Sequence, residues 1–308
     1  MSALRQWLKS NSLIRNAYLK ANKWYFAALY ATSPVLASKY LYRGATGKKL
    51  NLRHPQDFNE KLQWLKLYWR NPLVAKCTDK YEVREYAATC GCKEILNQLY
   101  GAYEHPSEIN WGKLPNRFAL KCTHGCGCNI ICDDKDKLDK DQTLAQLNEW
   151  LKRRYDRIAA EIHYAQIKPR IICEQYLETN AGFLPNDYKV YCFNGKPELV
   201  LVCTDRSSDL KLTWVDLNWQ RMNIGTENFW RAELPRKPDC LEAMIYYAKK
   251  LANPFPFVRV DFYDYNGRPM FGEMTFTPAA CMARYYNETG LQRLGEMLQL
   301  PNKYKRLK

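Results

Sequence analysis

The chain has 308 residues, a formal charge of +15 and 46% hydrophobic content, and 14% of its residues are aromatic. That composition excludes a disordered chain and leaves room for about one to three domains; the charge asks for an anionic partner without choosing among nucleic acid, an acidic polymer and a lipid headgroup surface. No run approaches the roughly 18 apolar residues of a membrane span, and Met1 to Lys9 lacks the apolar core of a signal peptide, so the twelve cysteines read as reduced thiols of a cytosolic protein.

Taken in order, residues 1–50 carry Leu4, Trp7, Leu8, Leu13, Tyr18, Trp24, Phe26, Leu29 and Tyr30 at helical spacing, with Arg5, Lys9, Arg15, Lys20 and Lys23 opposite. This basic amphipathic extension either docks on the rest of the protein or lies on an anionic membrane surface. Residues 51–115 form a mainly helical region. Asp57 is placed to cap a helix, with Glu60 three positions on as in a capping box, and Asn71-Pro72 ends it. Thr78 or Asp79 caps a second helix that carries Lys80, Val83, Arg84 and Tyr86 and stops near Cys90-Gly91.

Residues 116–180 read as a small lobe. Phe118 to Lys121 is a strand, Cys122 to Asn129 a loop with Gly125, Cys126 and Gly127, and Ile130 to Cys132 a returning strand. Backbone N–H groups of such a flap can approach phosphates closely, with Lys121 as a nearby point charge. Zinc on Cys122, Cys126, Cys128, Cys132 and His124 fits the spacing rules of tetrahedral sites poorly, and small buried thiols account for these cysteines better. Asp133 to Ala165 has the leucine spacing of a surface helix, and Ile171 to Glu178 is a buried strand with a polar end.

Residues 181–300 read as a large lobe, followed by a basic tail at 301–308. Val190 to Phe193 and Leu199 to Val202 flank Asn194-Gly195 as a hairpin, with Asp187, Lys189 and Arg206 at its margins, and Leu241 to Leu251 is a helix. The chemistry concentrates in Val258 to Pro278. Val258, Val260 and Phe262 alternate with Arg259, Asp261 and Tyr263; past Asn266-Gly267, Met270, Gly272, Met274 and Phe276 alternate with Phe271, Glu273 and Thr275. An odd-length loop centred on Gly267 puts Asp261 opposite Glu273 and Arg259 opposite Thr275, whereas a two-residue loop sends the carboxylates to opposite faces. Two adjacent acids need a proton or a cation between them, and hard oxygen ligands beside arginine suggest Mg²⁺ carrying phosphate. Trp214, Trp219 and Trp230 are either core residues or platforms for sugar rings.

TDKYEVREY, FALKCTHGCGCNII, ICEQYL, DYKVYCFNGKP and VRVDFYDYNGRPMFGEMTFTP, in this order from about Asn51 to Leu298, resemble the ATP-grasp superfamily, and within it the TupA-like branch named for teichuronopeptide biosynthesis. The resemblance implies an α+β fold in which two α+β subdomains sandwich ATP. It also implies that Lys80 and Lys121 hold phosphates under the Gly125–Gly127 flap, that Glu174, Gln175, Tyr176 and Leu177 form the hinge that reads adenine, that Lys189 is a further phosphate or ribose contact, and that Asp261 and Glu273 bind Mg²⁺. Thr275 stands where many relatives carry asparagine, and its hydroxyl is a weaker metal ligand. The activity implied is ADP-forming carboxylate–amine ligation through an acyl phosphate, with an acidic saccharide (a uronic acid) as acceptor, an amino acid or other amine as cosubstrate, a possible peripheral contact with an anionic membrane, and no nucleic acid; Arg259 and Arg206 are candidates for gripping the substrate carboxylate or the acyl phosphate, since a planar guanidinium matches either group bidentately. A sugar or polymer kinase on the same fold and a non-catalytic binder of acidic glycans are the competing readings.

Overall fold

The computed structural model describes residues 12–178, 185–204, 210–229 and 232–302. The N-terminal extension is a helical hairpin of α1 (Ser12–Thr32) and α2 (Pro34–Thr46). Ser33 caps α2 through its hydroxyl, Pro34 opens it, and Gly47 at φ 74° closes it. Docking is partial: Phe26 is buried against the second helix with Leu29 and Tyr30, and the Tyr30 hydroxyl donates to Asp156, yet Trp24 is 78% exposed, and Tyr18, Leu19 and Tyr25 are about half exposed. No described helix is long and apolar enough to cross a membrane.

Asp57 caps α3 (Phe58–Tyr68) by accepting from the Glu60 N–H. Glu60 does not complete a capping box; its carboxylate accepts instead from the N–H groups of Asn51 and Gln56 and ties down the incoming chain. Asn71-Pro72 does more than end that helix, since Asn71 caps a further one, α4 (Pro72–Thr78), that the spacing did not suggest. Asp79 then accepts from the N–H groups of Tyr81 and Glu82 at the start of α5 (Val83–Thr89), which leaves Lys80 in the turn, outside the helix.

Two antiparallel sheets follow. The smaller combines β1 (Leu99–Tyr103), β2 (Phe118–Cys122), β3 (Asn129–Cys132) and β4 (Ile171–Gln175) in the order β1-β4-β2-β3. Its apolar face, with Phe118, Leu120, Cys122, Ile171 and Cys173, packs on Leu147 of α6 (Lys140–Leu151). The expected single surface helix over 133–165 is therefore interrupted: α6 stops at Leu151, α7 (Asp156–Ala159) is one turn long, and Ala160 at φ 53° turns the chain away.

The larger sheet has the order β7-β6-β5-β8-β9, built from β5 (Asp187–Phe193), β6 (Lys196–Thr204), β7 (Lys211–Asp216), β8 (Phe257–Tyr265) and β9 (Arg268–Thr275). One face, with Val190, Val200, Val202, Val258, Val260 and Phe262, packs on Leu241, Met244, Ala248 and Leu251 of α8 (Leu241–Ala252). Each such leucine or valine, fully buried, contributes about 1.5–3 kcal/mol. The opposite face is covered at one end by Phe58, Leu62 and Leu65 of α3 and by Leu294 of α9 (Glu288–Met297), which rest on Tyr191, Phe193, Leu199 and Phe257. The other end of that face, toward Asp187, Lys189, Asp261 and Glu273, is left for chemistry.

Candidate active site

The β8–β9 hairpin places its carboxylates by a route the alternation did not foresee. Its loop is the two-residue Asn266-Gly267, at φ 53° and 79°, and Tyr265 pairs with Arg268. With that loop alone Asp261 would face Gly272. The ladder slips by one residue between Phe262–Phe271 and Asp261–Glu273, so Gly272 is the extra residue of a β-bulge. A Cβ on Gly272 would sit 3.0 Å from the Asp261 carbonyl oxygen and 3.3 Å from the Tyr263 ring. The bulge also corrects the apolar face: Phe271, not Gly272, joins Met274 and Phe276 in the core, because faces exchange at the extra residue. Beyond it Asp261 pairs with Glu273 and Arg259 with Thr275.

Across the strands the row continues, since Lys189 on β5 pairs with Asp261. Lys189 Nζ lies 2.5 Å from Asp261 Oδ2 and 2.6 Å from Asp187 Oδ2. Arg259 grips Asp261 with two parallel bonds of 2.7 Å and reaches Thr275 Oγ1 at 3.1 Å and Glu273 Oε1 at 3.6 Å. Thr275 donates to Glu273 Oε1 at 3.0 Å, and Lys80 Nζ stands 3.9 Å from Glu273 Oε2. Three cations thus face three carboxylates in one partly buried group. Burial works against the Glu273 charge, but Lys80, Arg259 and Lys189 outweigh it and hold the carboxyl at about 2 against its usual 4.5. Burial likewise opposes the charge on Arg259, and Asp261 overrides it, keeping the guanidinium protonated.

On the smaller sheet Lys121 and Glu174 share the face away from α6, because Ala119 pairs with Glu174 and Lys121 with Ile172. Lys121 Nζ bonds Glu174 Oε2 at 2.9 Å, and Arg84 holds the other oxygen at 3.1 Å. Burial lowers the affinity of Lys121 for its proton, and the carboxylate of Glu174, with weaker help from Tyr263 and Glu273, more than restores it. Lys80 Nζ donates to the Gly125 carbonyl at 2.6 Å, which joins the flap to Glu273. Within the flap a Cβ on Gly125 would overlap the Tyr155 ring at 2.2 Å, Gly127 has φ 70°, Cys126 is exposed, and Cys128 is buried against the Tyr155 hydroxyl. Among the described residues no group of three or more His, Cys, Asp or Glu side chains could by itself hold a metal ion.

The residues singled out in the sequence fall into two facing sets. Lys189, Arg259, Asp261, Glu273 and Thr275 meet on the large sheet. Lys121, Glu174 and the flap at Gly125, Cys126 and Gly127 belong to the small one, and Lys80 bridges the two. Glu174 points at Lys121 and Arg84, and its side chain holds the lysine in place. Both backbone groups of Gln175 are engaged, its N–H by Gln98 and its carbonyl by Asn97, while Arg117 stacks 4.3 Å over the Tyr176 ring. Leu177 closes the described part of the hinge. Trp214 and Trp219 are buried. Arg206 and Trp230 lie outside the described residues. Asp187 and Arg84, which orient Lys189 and Glu174, carried no role in the sequence reading, although Asp187 stands two residues before Lys189 on the same strand face.

The family model described as TupA-like ATPgrasp matches residues 60–299. No curated protein matches the sequence significantly. Among solved structures, D-alanine–D-alanine ligase from Bacillus anthracis, complexed with ATP, is 14% identical, with a TM-score of 0.39 over 65% of this chain and 54% of that one. L-amino acid ligase from Bacillus licheniformis is 14% identical, with a TM-score of 0.41 over 67% and 44%. D-alanine–D-alanine ligase from Helicobacter pylori is 13% identical, with a TM-score of 0.42 over 79% and 69%. The chain thus spans about half the length of the first two.

Proposed function

Because the chain belongs to the TupA-like ATP-grasp family, we propose that it is an ATP- and Mg²⁺-dependent carboxylate–amine ligase that forms an acyl phosphate and releases ADP. The observation that carries this reading is the pairing of Asp261 with Glu273 in one row with Lys189. Two hard carboxylates, a hydroxyl at Thr275 and nearby lysines suit Mg²⁺, which takes one or two protein carboxylates and completes its shell with phosphate and water. When bound it would neutralise charge on the terminal phosphates.

This chain's own groups supply the rest. Lys121, Lys80 and the Gly125–Gly127 flap close on the nucleotide from the small sheet, with Glu174 and Arg84 fixing Lys121. The hinge segment at Tyr176 and Leu177 reads the base. Asp261 and Glu273 carry the metal, and Lys189 and Arg259, released from these carboxylates, turn to phosphate and to the acceptor carboxylate; a planar guanidinium matches either group bidentately. Positioning and charge neutralisation account for the catalysis. The net charge of +15 suits an acidic saccharide, with a uronic acid as the carboxylate and an amino acid as the amine. The exposed Trp24, Tyr25, Tyr18 and Leu19 of α1 suit a peripheral contact with an anionic membrane.

A screen of ADP release crossing uronic acids and their nucleotide-linked forms with amino acids tests the reading. Ligation requires ADP release that depends on both an acid and an amine; release with a hydroxyl acceptor alone would identify a kinase instead.

A further inference from the structure

A second cavity lies beyond the end of β9, bounded by α3, α4 and the turn of Ile162–Gln166. Its volume of about 190 Å³ suits a molecule of amino-acid size and is smaller than most nucleotide or drug pockets. The wall is mixed. Trp69, Val74 and Phe276 supply apolar surface, and Lys66, Arg70 and His163 bring three nitrogen-bearing groups.

Those groups are under-partnered. Lys66 is 6% exposed, and among the described residues its ammonium donates only to the Ala159 carbonyl, at 3.1 Å, leaving two of its three N–H donors unused. His163 is 7% exposed, and among the described residues its Nε2 has no partner. No described carboxylate pairs with Arg70. A lysine capping the last carbonyl of α7 is the ordinary role here, but it does not account for two further donors kept from water or for a second cation on the same wall. Burying an ammonium with one neutral acceptor costs several kcal/mol. Burial shifts Lys66 downward and His163 to about 3, so a neutral His163 donates or accepts at Nε2 according to its tautomer.

Glu161 stands behind this wall: it does not line the cavity itself but accepts from the hydroxyl of Thr277, which does. The cavity adjoins the active site through its wall residues Phe276 and Thr277, which directly follow Thr275. Two cations on the wall of a small, partly apolar space, and a carboxylate behind Thr277 on the same wall, match the two ends of a zwitterion.

We propose that this cavity binds an apolar α-amino acid, its carboxylate held by Lys66 and Arg70 and its amine turned toward Glu161. The assignment rests on the ligase reading, since it makes the cavity the pocket of the amine cosubstrate. Titration calorimetry with Mg²⁺ and a non-hydrolysable ATP analogue tests it, with L-alanine, L-valine and L-leucine as probes. L-Leucinamide and 4-methylpentanoate, which each lack one end, should bind at least ~10-fold more weakly than L-leucine. Arg70→Ala, at an exposed position, should weaken amino-acid binding about 10-fold and Lys66→Met more, with nucleotide affinity unchanged in both. Should Lys66→Met fail to fold, Arg70→Ala decides alone. Equal amino-acid affinity in wild type and Arg70→Ala, or no heat from any of the three amino acids on protein that binds the nucleotide, overturns the assignment. Absence of nucleotide binding by the wild type counts against the ligase reading instead, and the same amino-acid titrations then decide the cavity separately.

Discussion

The two sheets hold their charged residues in different ways. On the large sheet the charges are fixed by cross-strand register: Glu273, Asp261 and Lys189 occupy consecutive strands of one row, both faces of the sheet are packed, and each carboxylate is already matched by a cation. On the small sheet one face packs on α6, the other buries Ala119 and Ile172 beside its charges, and the cation Lys121 hangs on a single carboxylate, Glu174, which Arg84 shares. Its loop is joined to the large sheet by Lys80, which bonds the Gly125 carbonyl and stands beside Glu273. A row set by register yields a fixed arrangement of carboxylates and cations at the cost of tolerance to substitution. A lone pair beside a loop yields a grip that can adjust.

This contrast can be broken at several points. The largest effect is expected on the large sheet. Arg259→Ala removes the bidentate partner of a buried carboxylate and should cost about 3–5 kcal/mol in chemical unfolding together with turnover. For the same reason Asp261→Asn is not a purely catalytic change, because it leaves Arg259 and Lys189 facing each other without their shared anion. Glu273→Gln is the cleaner variant, since Glu273 is 39% exposed; it should lower Mg²⁺-dependent ATP turnover at least ~10²-fold with a smaller loss of stability than Arg259→Ala. On the small sheet Lys121→Ala should weaken nucleotide binding about 10- to 100-fold, read by calorimetry, and leave the large-sheet packing intact. Unchanged affinity would remove its phosphate role. Gly272→Val should cost about 1–3 kcal/mol, because the added carbons press on the Asp261 carbonyl; an unaltered midpoint would mean that the bulge is not fixed by that approach. The smallest effect concerns pH. Glu273 titrates lower in the fold than its usual 4.5, so its ionised form stabilises the protein above that value and the contribution fades as pH falls from 4.5 toward 2. Glu273→Gln should therefore lose less stability than wild type across that interval.

Much of this was legible in the sequence, and the reason is local. Alternation over Val258–Tyr263, the Asn194-Gly195 and Asn266-Gly267 turns, the Asp57 cap and the apolar run of Phe118 to Leu120 each report on a few residues and their neighbours. The bulge at Gly272 was not legible, because an extra residue leaves no mark on composition and reverses the inference from loop length. Two errors cancelled there: the two-residue loop moves Glu273 to the wrong face, and the bulge returns it. Partners distant in sequence were equally hidden. Nothing around Glu174 announces Lys121 or Arg84, and the short strands β1 and β7 become strands only through the sheets they join. The helix expected over 133–165 stops at Leu151 with no glycine or proline to mark the end, and Ala160 then turns the chain in a left-handed conformation that its residue type does not suggest.

The central claim is that Asp261 and Glu273 form a metal-dependent phosphate site, and the dissociation constant of ADP measured with and without Mg²⁺ addresses it most directly. Wild type should bind more tightly when Mg²⁺ is added, and Glu273→Gln should lose most of that gain while keeping its metal-free affinity. An equal Mg²⁺ response in the two proteins would contradict the account.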